Sequence, residues 1–231
     1  RPVCYPGGMR PRRLIVIAVT GLALIGAGQV WRYQHRDGCR AYVPAAGPLV
    51  AHAGGGLPEQ TYANNLEALD LAASHGFTMV ELDFLVEEGR LVIGHDADHR
   101  SSLDPAGLMR WLDAHPRMSV VTDFKSDNLA GLELLKQAAG TRIDRFVPQI
   151  YSPQEYAAVA AMGFPAPILT AYRLPDHGWQ QAANALPLRA VTIAYKRRAL
   201  AQGIRHPVFL HTVNQAVPGY GLYTDCLIPA A

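Results

Sequence analysis

From Leu49 onward the apolar residues fall into two alternating patterns. Short runs rich in Val, Ile, Leu and Phe read as buried strands. Between them, apolar residues recur every three or four positions, as on one face of a helix. The runs predict strands at 49–53, 79–85, 119–124, 146–151, 167–172, 190–195, 207–213 and 221–225, with a short extra strand at 91–94. Asn65 is placed to cap a helix carrying Leu66, Leu69 and Ala73 on one face. Asp104-Pro105 reads as an N-cap followed by proline at the first helical position, with Leu108, Trp111 and Leu112 on one side. Asp127 can cap a segment containing Leu129, Leu132 and Leu135, closed by Gly140. Ser152-Pro153-Gln154-Glu155 has the form of a capping box, and Gly163 ends the helix that follows. Strands alternating with helices predict a parallel sheet, and eight such strands predict a closed α/β architecture, the (β/α)8 or TIM barrel.

The length sets a limit on that barrel. The body spans 48–231, whereas about 250 residues is usual for the fold. Only Gln215 to Tyr220 separates the last two strands, and parallel strands ordinarily need a connection of about a dozen residues. The expectation is therefore a short barrel, incomplete at its C-terminal side, open or poorly covered there.

One apolar run differs from the others. Leu14 to Trp31 holds no charged residue and follows Arg10, Arg12 and Arg13. As a helix, its eighteen residues rise about 27 Å, enough for a bilayer core. The organisation expected is a basic cytoplasmic leader at 1–13, a transmembrane helix or signal at 14–31, a linker at 32–47 and the barrel beyond. Arginines before the run place the body on the outer, periplasmic or extracellular, side of a membrane. Secretion after signal cleavage is the alternative, although Ala27-Gly28-Gln29 is a poor cleavage site.

Charge supports this division. Overall, 17% of residues are charged and 49% hydrophobic, which excludes a disordered chain. The net +2 combines two opposite parts. Residues 1–40 hold seven Arg and one Asp, a net of +6, and the remainder holds fourteen Lys or Arg against eighteen Asp or Glu, a net of −4. An acidic body without a basic-aromatic pattern excludes a nucleic-acid partner. Cys39 and Cys226 could pair or remain two thiols, and neither has metal-ligand spacing. Gly54-Gly55-Gly56 lacks the Lys-Ser/Thr ending of a nucleotide loop. Lys196-Arg197-Arg198 reads as a solvated helix start. The oligomeric state is not legible.

Candidate chemistry lies at the strand ends, where such barrels place their sites. The first strand ends in Ala51-His52-Ala53-Gly54-Gly55, the second carries Glu81-Leu82-Asp83, the extra strand ends in His95-Asp96, and the third ends in Asp123-Phe124-Lys125. Glu81 and Asp83 share a strand face, as do Asp123 and Lys125. Carboxylates on an inner face need partners or a metal. Gln149 and Tyr151, then His211 and Asn214, are further candidates to line a pocket, and Asp96 can orient His95 or cap a turn.

The stretch AHAGG…YANNLEAL…VELDF…LVIGHD…VVTDFK, with VPQIYSPQEY, HTVN and GLYTD, resembles the glycerophosphodiester phosphodiesterases and the related phosphatidylinositol-specific phospholipase C-like barrels. The resemblance covers roughly residues 49–228. It implies two catalytic histidines, His52 and His95, metal ligands Glu81, Asp83 and Asp123, and a phosphate-contacting Lys125. Three carboxylates suit one hard divalent cation, Ca2+ or Mg2+. One His would act as general base, the other as general acid. The implied substrate is a glycerophosphodiester or phospholipid headgroup. Phospholipase C-type lipid cleavage is the near alternative, and a barrel that has lost catalysis but binds a phosphorylated ligand is the distant one. Departures are visible. Ala53 stands where the family often has Arg, Tyr62-Ala63-Asn64 stands for its Pro-Glu-Asn, and the segment after His95 is short.

Overall fold

A computed structural model describes residues 48–55, 57, 60 and 62–226. The chain divides into two compact units, Arg1–Arg40 and Ala41–Ala231. The first unit, and with it the expected span at 14–31, lies outside the described residues. Among the described residues no helix is long and apolar enough to cross a membrane.

Nine strands form one sheet: β1 (Leu49–Ala51), β2 (Met79–Glu87), β3 (Arg90–Ile93), β4 (Ser119–Phe124), β5 (Phe146–Ile150), β6 (Ile168–Thr170), β7 (Ala190–Ala194), β8 (Val208–His211) and β9 (Gly221–Thr224). Eight are parallel neighbours in the order β1-β9-β8-β7-β6-β5-β4-β2, and β1 pairs with β2 to close the ring. The strand β3 turns back antiparallel on β2, matching Phe84 with Ile93 and Glu87 with Arg90. The sheet is thus a closed (β/α)8 barrel carrying one hairpin.

The predicted caps form where the sequence places them. Asn65 accepts from Ala68 N at the start of α1 (Leu66–Ser74), and Asp104 accepts from Gly107 N at the start of α2 (Pro105–Ala114). Asp127 accepts from Ala130 N before α3 (Asn128–Ala139), which Gly140 ends. Gly131 of α3 is required by packing: a Cβ there would sit 2.2 Å from the Phe124 ring. The Ser152 box differs from expectation. Residues Pro153–Glu155 make a 3-10 turn before α4 (Tyr156–Ala161), and Ser152 caps nothing. The Glu155 carboxylate instead accepts from Asn128 Nδ2 at 2.7 Å, so a contact between elements displaces the local cap.

The helical cover thins along the chain. After α5 (Gln180–Asn184), the β7–β8 connection is a 3-10 segment, Tyr195–Ala201, and β8 reaches β9 through a bare loop. The barrel nevertheless closes, which corrects the expectation of an open side. Val213, Val217 and Tyr220 of that loop pack on Leu210 and Leu222, covering the outer face that a helix covers elsewhere. The expected solvated start at Lys196-Arg197-Arg198 is also corrected at one residue. The Arg197 guanidinium turns inward and donates to the carbonyls of Ala171, Tyr172 and Leu174 and to Asp176.

Inside the barrel, each of the eight parallel strands supplies one residue to a separate apolar layer: Val50, Met79, Val121, Val147, Ile168, Ala190, Phe209 and Tyr223. Side chains two apart share a strand face. Two residues beyond each of these stand His52, Glu81, Asp123, Gln149, Thr170, Thr192, His211 and Asp225, and every one is polar. The interior therefore changes from an apolar floor to a polar mouth in one step, at the C-terminal ends of all eight strands.

Candidate active site

The parallel register sets Asp83 beside Asp123 on neighbouring strands, with Glu81 one inward position below Asp83. Carboxylate oxygens of Glu81, Asp83 and Asp123 lie within 4.8 Å of one another. Glu81 and Asp83 are fully buried. Lys125 Nζ sits 2.6 Å from Asp123 Oδ2 and 2.8 Å from Asp83 Oδ1, the latter an ion pair off the hydrogen-bonding direction. With all three carboxylates ionised, one ammonium leaves a formal excess of two negative charges, which the cation-free site lessens by raising the pKa of Glu81 and of His52. Glu81 Oε1 has no hydrogen-bond partner among the described residues. Burial, with the neighbouring charges of Asp83 and Asp123, pushes the Glu81 carboxyl up. An unpartnered oxygen, an all-oxygen donor set and an excess of two charges fit one hard divalent cation.

The surrounding polar groups fix these ligands. Ala53 N donates to Glu81 Oε2 at 2.7 Å. Asn64 Nδ2 donates to Asp83 Oδ2 at 2.8 Å, and its Oδ1 accepts from Asp83 N at 3.0 Å. Tyr151 Oη donates to Asp123 Oδ1. Ala53 and Asn64 hold these positions with left-handed backbones, φ +51° and +45°. Such a conformation costs Ala53 about 1–2 kcal/mol, whereas asparagine adopts it more readily, and here the two aim an amide and a carboxamide at the carboxylates.

Two histidine–aspartate pairs flank the cluster. His52, just after β1, has Nδ1 2.8 Å from Asp225 Oδ1, just after β9. Burial lowers the His52 pKa, but the hydrogen bond to Asp225 and the charges of Glu81, Asp225 and Asp83 outweigh it and raise it to about 9. Asp225 is fixed in turn by Asn214, whose Oδ1 accepts from Asp225 N at 2.9 Å. His95, just after β3, has Nδ1 2.9 Å from Asp96 Oδ2. His211 meets His52 edge-to-face at 4.7 Å, and burial together with the charges of His52 and Lys125 holds it neutral.

The structure thus brings Glu81, Asp83, Asp123, Lys125 and Tyr151 together and sets His52 beside them. Asp96 orients His95, while His211 and Asn214 reach the site through His52 and Asp225. Gln149 alone turns to another partner: its Oε1 accepts from Thr170 Oγ1 inside the barrel. Sequence reasoning did not select Asp225, Asn64 or Tyr62 as site residues. Asp225 was legible from the two-residue step beyond Tyr223 on the innermost face. Asn64 and Tyr62 lie on a loop with no such periodicity.

The fold and site define an acidic, cation-type centre in the C-terminal mouth of a (β/α)8 barrel. No protein-family model and no curated protein matches the sequence. Solved structures share the fold. A glycerophosphodiester phosphodiesterase from Parabacteroides distasonis superposes with a TM-score of 0.61 at 14% identity, over 77% of this chain and 92% of that one. A phosphodiesterase from Oleispira antarctica, in complex with the product sn-glycerol-3-phosphate, superposes with a TM-score of 0.56 at 14% identity, over 81% and 95%. The chain has the fold of the glycerophosphodiester phosphodiesterases.

Proposed function

We propose that the chain is a phosphoric diester hydrolase acting on glycerophosphodiesters or phospholipid headgroups with one divalent cation, Ca2+ or Mg2+. The observation that carries this reading is the convergence of Glu81, Asp83 and Asp123 beside Lys125. The fold likeness and the product held by the Oleispira antarctica neighbour support the substrate class.

Glu81, Asp83 and Asp123 would hold the cation, which supplies Lewis-acid polarisation of the phosphoryl group and a template for its oxygens. Lys125 adds positive charge where the transition state gathers negative charge. The Nδ1 bonds to Asp225 and Asp96 leave Nε2 of His52 and of His95 for proton transfer. One imidazole takes the proton from water or a substrate hydroxyl, and the other returns one to the leaving alkoxide. Asn64, Tyr151 and the Ala53 amide keep the carboxylates aimed and do no chemistry of their own.

The test is turnover of glycerophosphocholine and of phosphatidylinositol by the full chain in detergent, with and without EDTA, beside His52→Ala and His95→Ala. Cation-dependent turnover lost in both variants is expected. Turnover that survives EDTA and both substitutions overturns the mechanism. Cation binding without turnover on any phosphodiester makes the barrel a binding module. Turnover of phosphatidylinositol alone makes it a phospholipase C-type enzyme.

The same proposal places the barrel on the outer side of a membrane, held by residues 14–31. The arginines before that run support it, and so does Cys226, which is disulfide-bonded as oxidising compartments permit. Protease accessibility in cells or spheroplasts whose cytoplasmic membrane is intact checks the topology, and digestion only after that membrane is broken refutes it.

A further inference from the structure

Resting on the proposed reaction, a positioning residue can be named that no family pattern supplies. Tyr62 occupies the place where the resembled barrels carry proline. Its ring stacks on His95 at a centroid distance of 3.9 Å and an interplanar angle of 20°. The same ring meets His52 edge-on at 6.1 Å and His99 edge-on at 6.0 Å. Tyr62 is thus the aromatic surface shared by both proposed acid–base imidazoles.

The placement is fixed by the backbone. Tyr62 has φ +57°, a conformation an aromatic residue rarely holds, and its carbonyl accepts from Asn64 Nδ2 at 3.3 Å. That amide also donates to Asp83 Oδ2. One carboxamide therefore ties the carboxylate cluster to the residue lying on His95. Strain of this kind persists only where the surroundings over-determine it, and it concentrates at functional sites.

His95 needs such support. Asp96 Oδ1 is already taken by Asp98 N, His99 N and His99 Nδ1, at 3.0, 3.0 and 2.8 Å. Only Oδ2 is left for His95 Nδ1. A single bond at one nitrogen fixes one edge of an imidazole and leaves its plane free to swing. A ring lying face to face at 3.9 Å removes that freedom.

We infer that Tyr62 is a positioning residue that holds the plane of His95, through its ring face and not its hydroxyl, so that Nε2 of His95 meets the substrate oxygen opposite His52. The stack can be read without activity, because a phenol ring shields the proton it covers. In the wild-type chain the His95 Hε1 resonance is expected upfield of its position in Tyr62→Leu, with Tyr62→Phe resembling wild type. In turnover, Tyr62→Leu should lower kcat about tenfold or more while KM stays within about twofold, as loss of alignment does. Tyr62→Phe should retain wild-type kcat, and Ca2+ affinity by calorimetry should be unchanged in both. An Hε1 shift that Tyr62→Leu leaves in place overturns the stack, whether or not the chain is an enzyme. Wild-type kcat in Tyr62→Leu overturns the positioning role. A loss shared equally by Tyr62→Phe moves the role to the hydroxyl and also overturns it. Absence of turnover in the wild type, with the resonance shift present, defeats the proposed reaction and, with it, this role.

Discussion

Asp225→Asn probes how the barrel mouth holds its charge. In the cation-free protein His52 is raised from 6.5 to about 9. At 1.36 kcal/mol per pKa unit, this favours the protonated imidazole by roughly 3 kcal/mol. A folded-state pKa above the unfolded one contributes stability that is complete below pH 6.5 and lost as the pH rises through about 9. Wild type should therefore lose roughly 3 kcal/mol of unfolding free energy through this group between about pH 6 and about pH 10. Asparagine keeps an acceptor beside Nδ1 but removes the charge. Hydrogen bonds to charged groups contribute about 1.5–3 kcal/mol against about 0.5–1.5 kcal/mol for neutral ones, so with the Glu81 and Asp83 charges still in place the variant should lose about 1–1.5 kcal/mol. Its His52 midpoint should then fall to about 8. Glu81 is also raised, and its own loss with rising pH has the same sign, so only the difference between variant and wild type isolates His52. The assay is a histidine Hε1 titration in EDTA, with urea unfolding near the two pH limits. A midpoint unmoved by Asp225→Asn, or a wild-type midpoint near 6.5, refutes the reasoning. Adding Ca2+ should also lower the wild-type midpoint, because the cation offsets the carboxylates that raise it.

Glu81→Gln should raise Tm in EDTA above about pH 8, where the Glu81 carboxyl is ionised among like charges, and should abolish the Tm increase that Ca2+ gives wild type. A lower Tm in EDTA contradicts the charge excess inferred for the site. Gly131→Ala forces a Cβ to 2.2 Å from a Phe124 ring that is itself stacked on Phe84. It should lower the urea-derived stability by about 1–3 kcal/mol, and an unchanged midpoint refutes the close packing of α3 on β4.

Much of this fold was legible because the signals are local. Every strand lies on its apolar run, and Asn65, Asp104 and Asp127 cap the helices they precede. The carboxylates could be found because a period of two places Glu81 with Asp83, and strand ends mark where a barrel opens. The failures share a cause. Ser152 had the form of a cap, but its Glu155 was drawn to Asn128 on a different helix. Arg197 read as solvated, but three carbonyls of the β6 loop took its guanidinium.

By itself the sequence determined the strands, most of the caps, and the step from apolar floor to polar mouth, because these depend on residues two to four positions apart. Tertiary structure decided whether the ring closed, since that rests on β1 finding both β2 and β9 and on loop residues replacing a missing helix. It also decided the partners within the site. His52 and Asp225 are 173 residues apart in sequence and 2.8 Å apart in space. Tyr62 and His95, far apart in sequence, stack only in the folded chain, with Tyr62 held in a left-handed backbone conformation. No local pattern encodes such contacts; they exist once the strands are staggered around a closed ring.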